Sequence, residues 1–385
     1  MKNVVFAKTA LLVLGLLLGG SSLSYSTPKI KIPLGEEEGA EQKAPFYFFG
    51  YGELHYNNRV GDGGDQFDFH RMVLGFGYDF TDKWNFRTEL DFEHAFTEPE
   101  LEFAHVDYLR SPHLNLRFGS LLVPMGVINQ HHEPPLFYSV ERPEVYRVII
   151  PTTWQEGGAG IYGEITDGLH YQLYGTSSLN ASGFNGSNGV RGGRGHVGEQ
   201  IGRDFAGSGR LEYVGLPGFR LGTSLFAGNT GQGDATIDGG LLLIGEGDAK
   251  YSLEGFDLEG LFVWSHLSDA GNINTTLVVA TPTFTNFVAS QMMGWYLEGA
   301  YHLFYHLKPE IRQDLVLFSR FEDFNTQYRM PTGFASSAAN DRNTVTTGLA
   351  YLPIPQVVFK ADYMLNWSQA NGGTDQFNLG VGFMY

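Results

Sequence analysis

The chain has no cysteine among its 385 residues, which excludes a disulfide framework and a thiolate metal site. It is also poor in charge, with Asp, Glu, Lys and Arg making up 17%, and poorest in positive charge: 25 Lys and Arg stand against 42 Asp and Glu, a net charge of −17. That surplus of acid repels a phosphate backbone, so nucleic acid is excluded as a partner and cations are the favoured visitors. After the first twenty residues no apolar run is long enough to cross a bilayer as a helix, which takes about 20 residues. A chain of this kind that crosses a membrane does so as a closed barrel.

Motifs of bound cofactors and of catalysis are missing as well. Gly189 to Gly195, with Arg191 and Arg194, has the glycines of a phosphate cradle but lacks the Lys-Ser/Thr ending; it reads as a mobile outside loop. His131 and His132 are adjacent and lack a third ligand at a telling spacing, so no metal site and no cofactor are expected. No Gly-x-Ser-x-Gly elbow marks a nucleophile, and the chain is not read as an enzyme.

What is present is glycine, 51 residues, with 30 phenylalanines and 20 tyrosines. The last ten residues show their arrangement. Phe377, Leu379, Val381, Phe383 and Tyr385 alternate with Asn378, Gly380, Gly382 and Met384, which in a strand makes one greasy face and one small or polar face. Such an edge aggregates unless the sheet closes on itself, with lipid outside and water inside. The five apolar residues are the candidate assembly signal for the outer-membrane barrel assembly machinery.

At the other end, Lys2 and Lys8 precede an apolar run from Thr9 to Gly20 and small residues at Ser22, Ser24 and Ser26, the pattern of a cleaved export signal. The expected division is a signal peptide over 1–26, a flexible periplasmic lead-in over 27–44 and a transmembrane β-barrel over 45–385. From Pro45 onward two-faced segments follow one another. The clearest sets Trp84, Phe86, Leu90, Phe92 and Phe96 against Asn85, Arg87, Glu89, Asp91 and Glu93. A row of ionisable groups cannot enter a dry core, so one face meets water and the other something apolar.

Counting such segments gives about sixteen strands, with eighteen as an alternative. Short turns near 81–83, 112–113, 166–168, 217–218, 255–256, 305–308 and 353–356 interleave with longer connections near 60–66, 97–100, 125–156, 179–203, 231–240, 271–289, 325–342 and 370–375. An outer-membrane barrel has this asymmetry of periplasmic turns and outside loops. The expected location is therefore the outer membrane of a Gram-negative cell, in contact with its lipid and lipopolysaccharide.

Leu116-Arg117-Phe118-Gly119 followed by Val123-Pro124-Met125-Gly126, and Glu141-Arg142-Pro143 ahead of Trp154-Gln155-Glu156-Gly157-Gly158, resemble the phosphate-selective porin O and P family. The resemblance covers roughly 45 to 385. It implies a sixteen-stranded general or anion-selective porin, commonly a homotrimer, with the third outside loop folded into the lumen. The chain departs from the phosphate-selective members in having no Lys-rich cluster and many inward acids.

The third connection, 125–155, is the expected pore constriction. It carries His131, His132, Glu133, Glu141, Arg142, Glu144 and Arg147 among prolines and aromatics, a stiff body with charged tips that would set the field in the pore. On the wall, Arg71, Arg87 and Arg117 either form a basic strip facing Glu89, Asp91, Glu93 and Asp107 or pair with those acids. Later strands repeat the mixture with Arg312, Asp314, Arg320 and Glu322. Three function classes remain: a passive channel for small hydrophilic solutes and ions with weak cation preference, an outer-membrane barrel enzyme, and a secreted soluble β protein. The last would need a fixed repeat, and only a strand-pair rhythm is present.

Overall fold

Each strand hydrogen-bonds the next in sequence, and the last pairs with the first, so sixteen antiparallel strands close one barrel. The computed structural model describes residues 45–61, 64–307 and 312–385; the expected signal peptide and lead-in lie outside the described residues. The strands are β1 (Phe46–Arg59), β2 (Gln66–Asp79), β3 (Trp84–Glu93), β4 (Glu98–Ser111), β5 (Leu114–Leu122), β6 (Gln155–Thr166), β7 (Leu169–Ser177) and β8 (Phe205–Leu216). They continue as β9 (Phe219–Asn229), β10 (Leu241–Leu253), β11 (Phe256–Leu267), β12 (Gln291–His302), β13 (Asp314–Arg329), β14 (Asp341–Ile354), β15 (Val357–Ser368) and β16 (Gln376–Met384). Closure runs from Tyr51 opposite Met384 to Arg59 opposite Gln376. Pairing every strand on both sides leaves no open edge, as hydrocarbon surroundings demand.

The period-two pattern settles the facing. Phe48, Leu74, Phe118, Leu173, Leu225, Phe262, Leu297, Leu317, Leu365 and Leu379 are exposed on the outside, while Glu53, Arg71, Asp91, Arg210, Asp248, Arg320 and Lys360 are buried on the inside. Aromatic pairs gather toward both rims. Trp84 and Tyr108 (4.8 Å) and Phe256 and Tyr301 (4.4 Å) lie at the short-turn end, and Tyr56 and Phe67 (4.8 Å) at the end with long connections. These are the positions of interfacial girdles.

Boundaries differ from the sequence reading most in three places. β3 ends at Glu93 and β4 begins at Glu98, so the connection after β3 moves from 97–100 to 94–97. β13 continues to Arg329, so the next connection is 330–340, and the expected short turn at 305–308 is corrected to a longer connection, 303–313, that opens with a helix. Polar residues at these ends still find ladder partners, such as Glu98 opposite Glu93 and Arg329 opposite Gln291, and pairing rather than hydrophobicity decides where a strand stops. Phe96 falls in the 94–97 turn and stacks on Phe92 at 4.6 Å. Among the described residues three α-helices lie in the connections: α1 (Glu144–Val148), α2 (Ala270–Ala280) and α3 (Leu303–Leu307).

Candidate functional site

The connection between β5 and β6, residues 123–154, turns back into the barrel. Its neck is closed by Val123 N donating to Trp154 O (3.0 Å) and by Asn129, whose Nδ2 donates to Val123 O (2.7 Å) and whose Oδ1 accepts from Trp154 N (2.8 Å). Gly126 turns the chain with φ +64°, and a Cβ there would lie 2.6 Å from the Tyr146 ring. Tyr146 in turn accepts a hydrogen bond from Val127 N at 2.8 Å. Only glycine satisfies both the left-handed backbone and the close ring.

The far part of the segment is held by wall side chains from the opposite strands. Arg320 on β13 donates to Ser139 Oγ (2.7 Å) and to Glu141 O (3.4 Å). Lys360 on β15 donates to Ser139 O (2.8 Å) and sits 3.6 Å from the Phe137 ring centre. Asp362 accepts from Val140 N (2.6 Å) and Glu322 from Val145 N (3.2 Å). Tyr138 Oη donates to Asp257 on β11 at 2.6 Å. On β16 the inward glycines make room: a Cβ on Gly380 would come within 3.1 Å of Val140, and one on Gly382 would collide with Pro134. The small face of the terminal strand is small because the inserted segment packs on it.

One side of the interior is dry. Val145, Tyr146, Val148, Ile149, Ile150 and Trp154 of the segment pack with the inward Phe226, Leu242, Ile244, Leu261 and Val263 of β9–β11 in a single apolar cluster. Phe184 and Val190 of the 178–204 connection and Ile273 and Leu277 of α2 join it. The expectation of a wetted inner face on every strand is therefore corrected for the long-connection half of β9–β11. There the inward row turns apolar to receive the loops, because a dry interface is what binds them. The expected mobile outside loop at 189–195 is corrected too. Val190 is fully buried, Arg191 donates to Thr152 O, and Arg194 to Thr153 O, so these arginines tie this connection to the inserted segment.

The predicted wall arginines pair locally and do not form a strip. Arg71 lies 2.9 Å from Glu93 and 3.4 Å from Asp91. Arg117 makes a two-pronged contact with Asp107 (2.8 and 2.9 Å), and Arg87 donates to Tyr47 Oη (2.8 Å). Arg71, Glu89 and Asp91 are covered rather than wetted. The segment overlies this part of the wall, with His132 at 3.1 Å from Glu102 and its ring 5.7 Å from that of Tyr51. Toward the short-turn end the wall stays half-exposed at Arg87, Arg117, Arg220 and Lys250. Later wall groups again pair: Arg210 contacts Asp248 (2.7 Å) and Glu246 (3.1 Å), and Arg320 contacts Glu322 (3.0 Å) and Glu298 (3.1 Å). Arg312 precedes β13 and is exposed, and Asp314 pairs with His302.

Of the loop residues, Glu141 accepts from Asn57 (2.9 Å) and lies 3.5 Å from His55. Burial alone would raise its pKa, but the hydrogen bonds and charge of His55 and the Asn57 amide hold it down at about 2. His131 is exposed and lines a small hollow with His170, Gln172, Arg210 and Glu212. Burial, aided by Arg71, lowers the pKa of Arg142. Arg147 pairs with Glu144 at 2.6 Å in α1, and Glu133 is half-buried beside the Pro134–Leu136 turn. The anchors Lys360, Asp362, His55 and Asn57 were absent from the sequence-derived site. The inward parity of Lys360-x-Asp362 was the available signal, but only the fold brings them to residues about 220 positions earlier, such as Ser139 and Val140.

No family model matches the chain. It is 33% identical over 348 residues to an uncharacterized protein of Aquifex aeolicus (strain VF5), the match spanning 87% of this chain and 79% of that one. Its structure resembles the outer membrane channel DcaP of Acinetobacter baumannii, with a TM-score of 0.57 and 10% identity over 90% of this chain and 99% of that one. It also resembles an anion-selective porin from Comamonas acidovorans, with a TM-score of 0.55 and 12% identity over 88% of this chain and 98% of that one. At such identities the likeness establishes a porin fold, without singling out the O and P family.

Proposed function

The chain belongs to the same family as the Aquifex aeolicus protein, and from its closed, porin-like barrel we propose that it is an outer-membrane channel through which small hydrophilic solutes and ions diffuse down their gradients. The observation that carries this reading is a segment crossing the inside of a closed barrel and held there by wall side chains, Arg320, Lys360 and Asp362 among them. Such a segment narrows a passage and places charges in it. In this reading 125–155 is the constriction, the long connections face outward, and the short turns face the periplasm. A homotrimer belongs to this proposal on the resemblance to the O and P porins alone.

The acid surplus favours cations. A second reading, anion preference, is supported by the gathering of Arg142, Arg147, Arg191 and Arg194, where burial and the other three arginines bring the Arg191 pKa down to about 9. One experiment separates the two. Purified protein in a planar bilayer under a salt gradient gives a reversal potential whose sign names the preferred ion. Arg142→Ala with Arg147→Ala moves that potential toward the cation side. Unchanged potentials in the double variant would place the segment outside the conduction path, and absence of any conductance from a heat-modifiable barrel would end the channel reading.

A further inference from the structure

A histidine cluster at the long-connection rim has no part in holding the inserted segment's far end. β2 carries one extra residue against β1: Arg71 faces Glu53 and Asp68 faces His55, leaving Phe69 and His70 opposite Leu54 alone. A bulge of this type re-aims a side chain, and here it leaves His70 with its Nδ1 3.2 Å from Asp68 Oδ2. The tight turn after β3 adds His94, whose φ of 49° begins a left-handed run through Ala95 and Phe96. Backbone bonds from His94 N to His70 O (3.2 Å) and from Ala95 N to Phe69 O (3.1 Å) fasten that turn to β2. His94 Nδ1 then lies 2.8 Å from the same Asp68 oxygen.

Two imidazole nitrogens and a carboxylate oxygen thus converge, all within 4.8 Å of one another. Ligand atoms about 2.0–2.2 Å from a zinc-class ion, at angles between square and tetrahedral, are themselves about 3–3.4 Å apart. The two nitrogen–oxygen separations of 2.8 and 3.2 Å match that range to within a few tenths of an ångström, and the two nitrogens lie within 4.8 Å of each other. The plane of the His70 ring is also fixed by stacking on His55 at 4.8 Å and 15°. Side-chain exposures of 14% for Asp68, 31% for His70 and 40% for His94 let an ion enter and leave a position for water.

We propose that Asp68, His70 and His94 form a binding site for a divalent transition ion of the zinc or nickel class at the rim of the barrel. Imidazole nitrogens select such ions over magnesium and calcium, which prefer all-oxygen shells. Glu93 and Glu98 also approach His94 and make a competing all-but-one-carboxylate set, which the experiment separates from the first. The detergent-purified full chain, stripped with chelator, is titrated calorimetrically with zinc and with magnesium. Zinc binds with one equivalent that is lost, or weakened at least tenfold, in His70→Ala/His94→Ala and in Asp68→Asn, while Glu93→Gln/Glu98→Gln retains it and magnesium gives no such heat. Heat-modifiable gel migration checks folding, and if the histidine variant does not fold, Asp68→Asn decides. Equal zinc binding by parent and variants, loss only in the glutamate variant, or no binding below about 1 mM overturns the proposal. Calorimetry reads the ion directly, so a barrel that failed to conduct would leave this result standing.

Discussion

Replacing Arg320 by methionine tests how the wall holds the segment inside the barrel. Arg320 is 1% exposed; it contacts Glu322 (3.0 Å) and Glu298 (3.1 Å) and donates to Ser139 Oγ and Glu141 O. A hydrogen bond from a charged donor is worth roughly 1.5–3 kcal/mol, and removing one partner of a buried ion pair costs roughly 3–5 kcal/mol. These effects share atoms and do not add, so a total near 3–5 kcal/mol is expected. Methionine keeps most of the side-chain length, and the ladder of β13 is untouched, so the barrel itself should close. The strain falls on the segment, whose withdrawal would let water reach the stranded Glu322. At about 1.4 kcal/mol per factor of ten, the docked fraction relative to the withdrawn one drops by about a hundredfold to a few thousandfold. Lys360, Asp362 and Tyr138 still hold the segment, so the expected signal in a planar bilayer is switching between the parental current and a larger one. Glu322→Gln added to Arg320→Met removes the fully buried one of the two carboxylates left unpaired, Glu298 being 12% exposed, while keeping an acceptor for Val145 N, and should reduce the switching. A steady parental current from Arg320→Met, or switching untouched by the second change, would refute this account of the anchor.

Acid should loosen the same segment. Glu141 has its pKa lowered from the ordinary 4.5 to about 2, so its contribution is complete above about 4.5 and disappears as pH falls toward 2; currents should become noisy near pH 3, and Glu141→Gln should show the same noise at pH 7. Equal recordings at pH 7 and pH 3 would count against it. Gly382→Leu should displace Pro134, read as altered conductance with normal heat-modifiable migration; an unchanged conductance would mean the Gly382–Pro134 contact does not position the segment. On the outer face, Val381 pairs with Phe359 and Leu54, between the girdle at Tyr56 and the opposite rim, while Phe383 pairs with Val357 at the start of β15. The penalty for charge falls from a few kcal/mol at the midplane to about 0–1 kcal/mol at the interface, so refolding into lipid vesicles should be impaired more by Val381→Asp than by Phe383→Asp. The reverse order would show that the wall's depth is misassigned.

Much of the wall was legible because a strand writes its environment into every second residue. Trp84 to Glu93 announces lipid on one side and polar partners on the other, and sixteen such segments with alternating turn lengths leave an antiparallel closed sheet as the arrangement that satisfies them. The turn 81–83 and the glycine turns at 168, 218 and 255, each with positive φ, were equally local. Pairing was not. Arg87 finds Tyr47 forty positions back, and Arg117 finds Asp107 across one turn, contacts that composition cannot choose between.

The sequence by itself determined the barrel, since facing and strand count follow from short-range alternation and the need to satisfy backbone groups within the sheet. Only the tertiary structure decided what fills it: the wall side chains that clamp 137–145, the apolar patch on β9–β11, the inward packing of 178–204 and α2, and the meeting of Asp68, His70 and His94. Those contacts join residues far apart in the chain, and a loop carries no periodicity that says which wall it will touch.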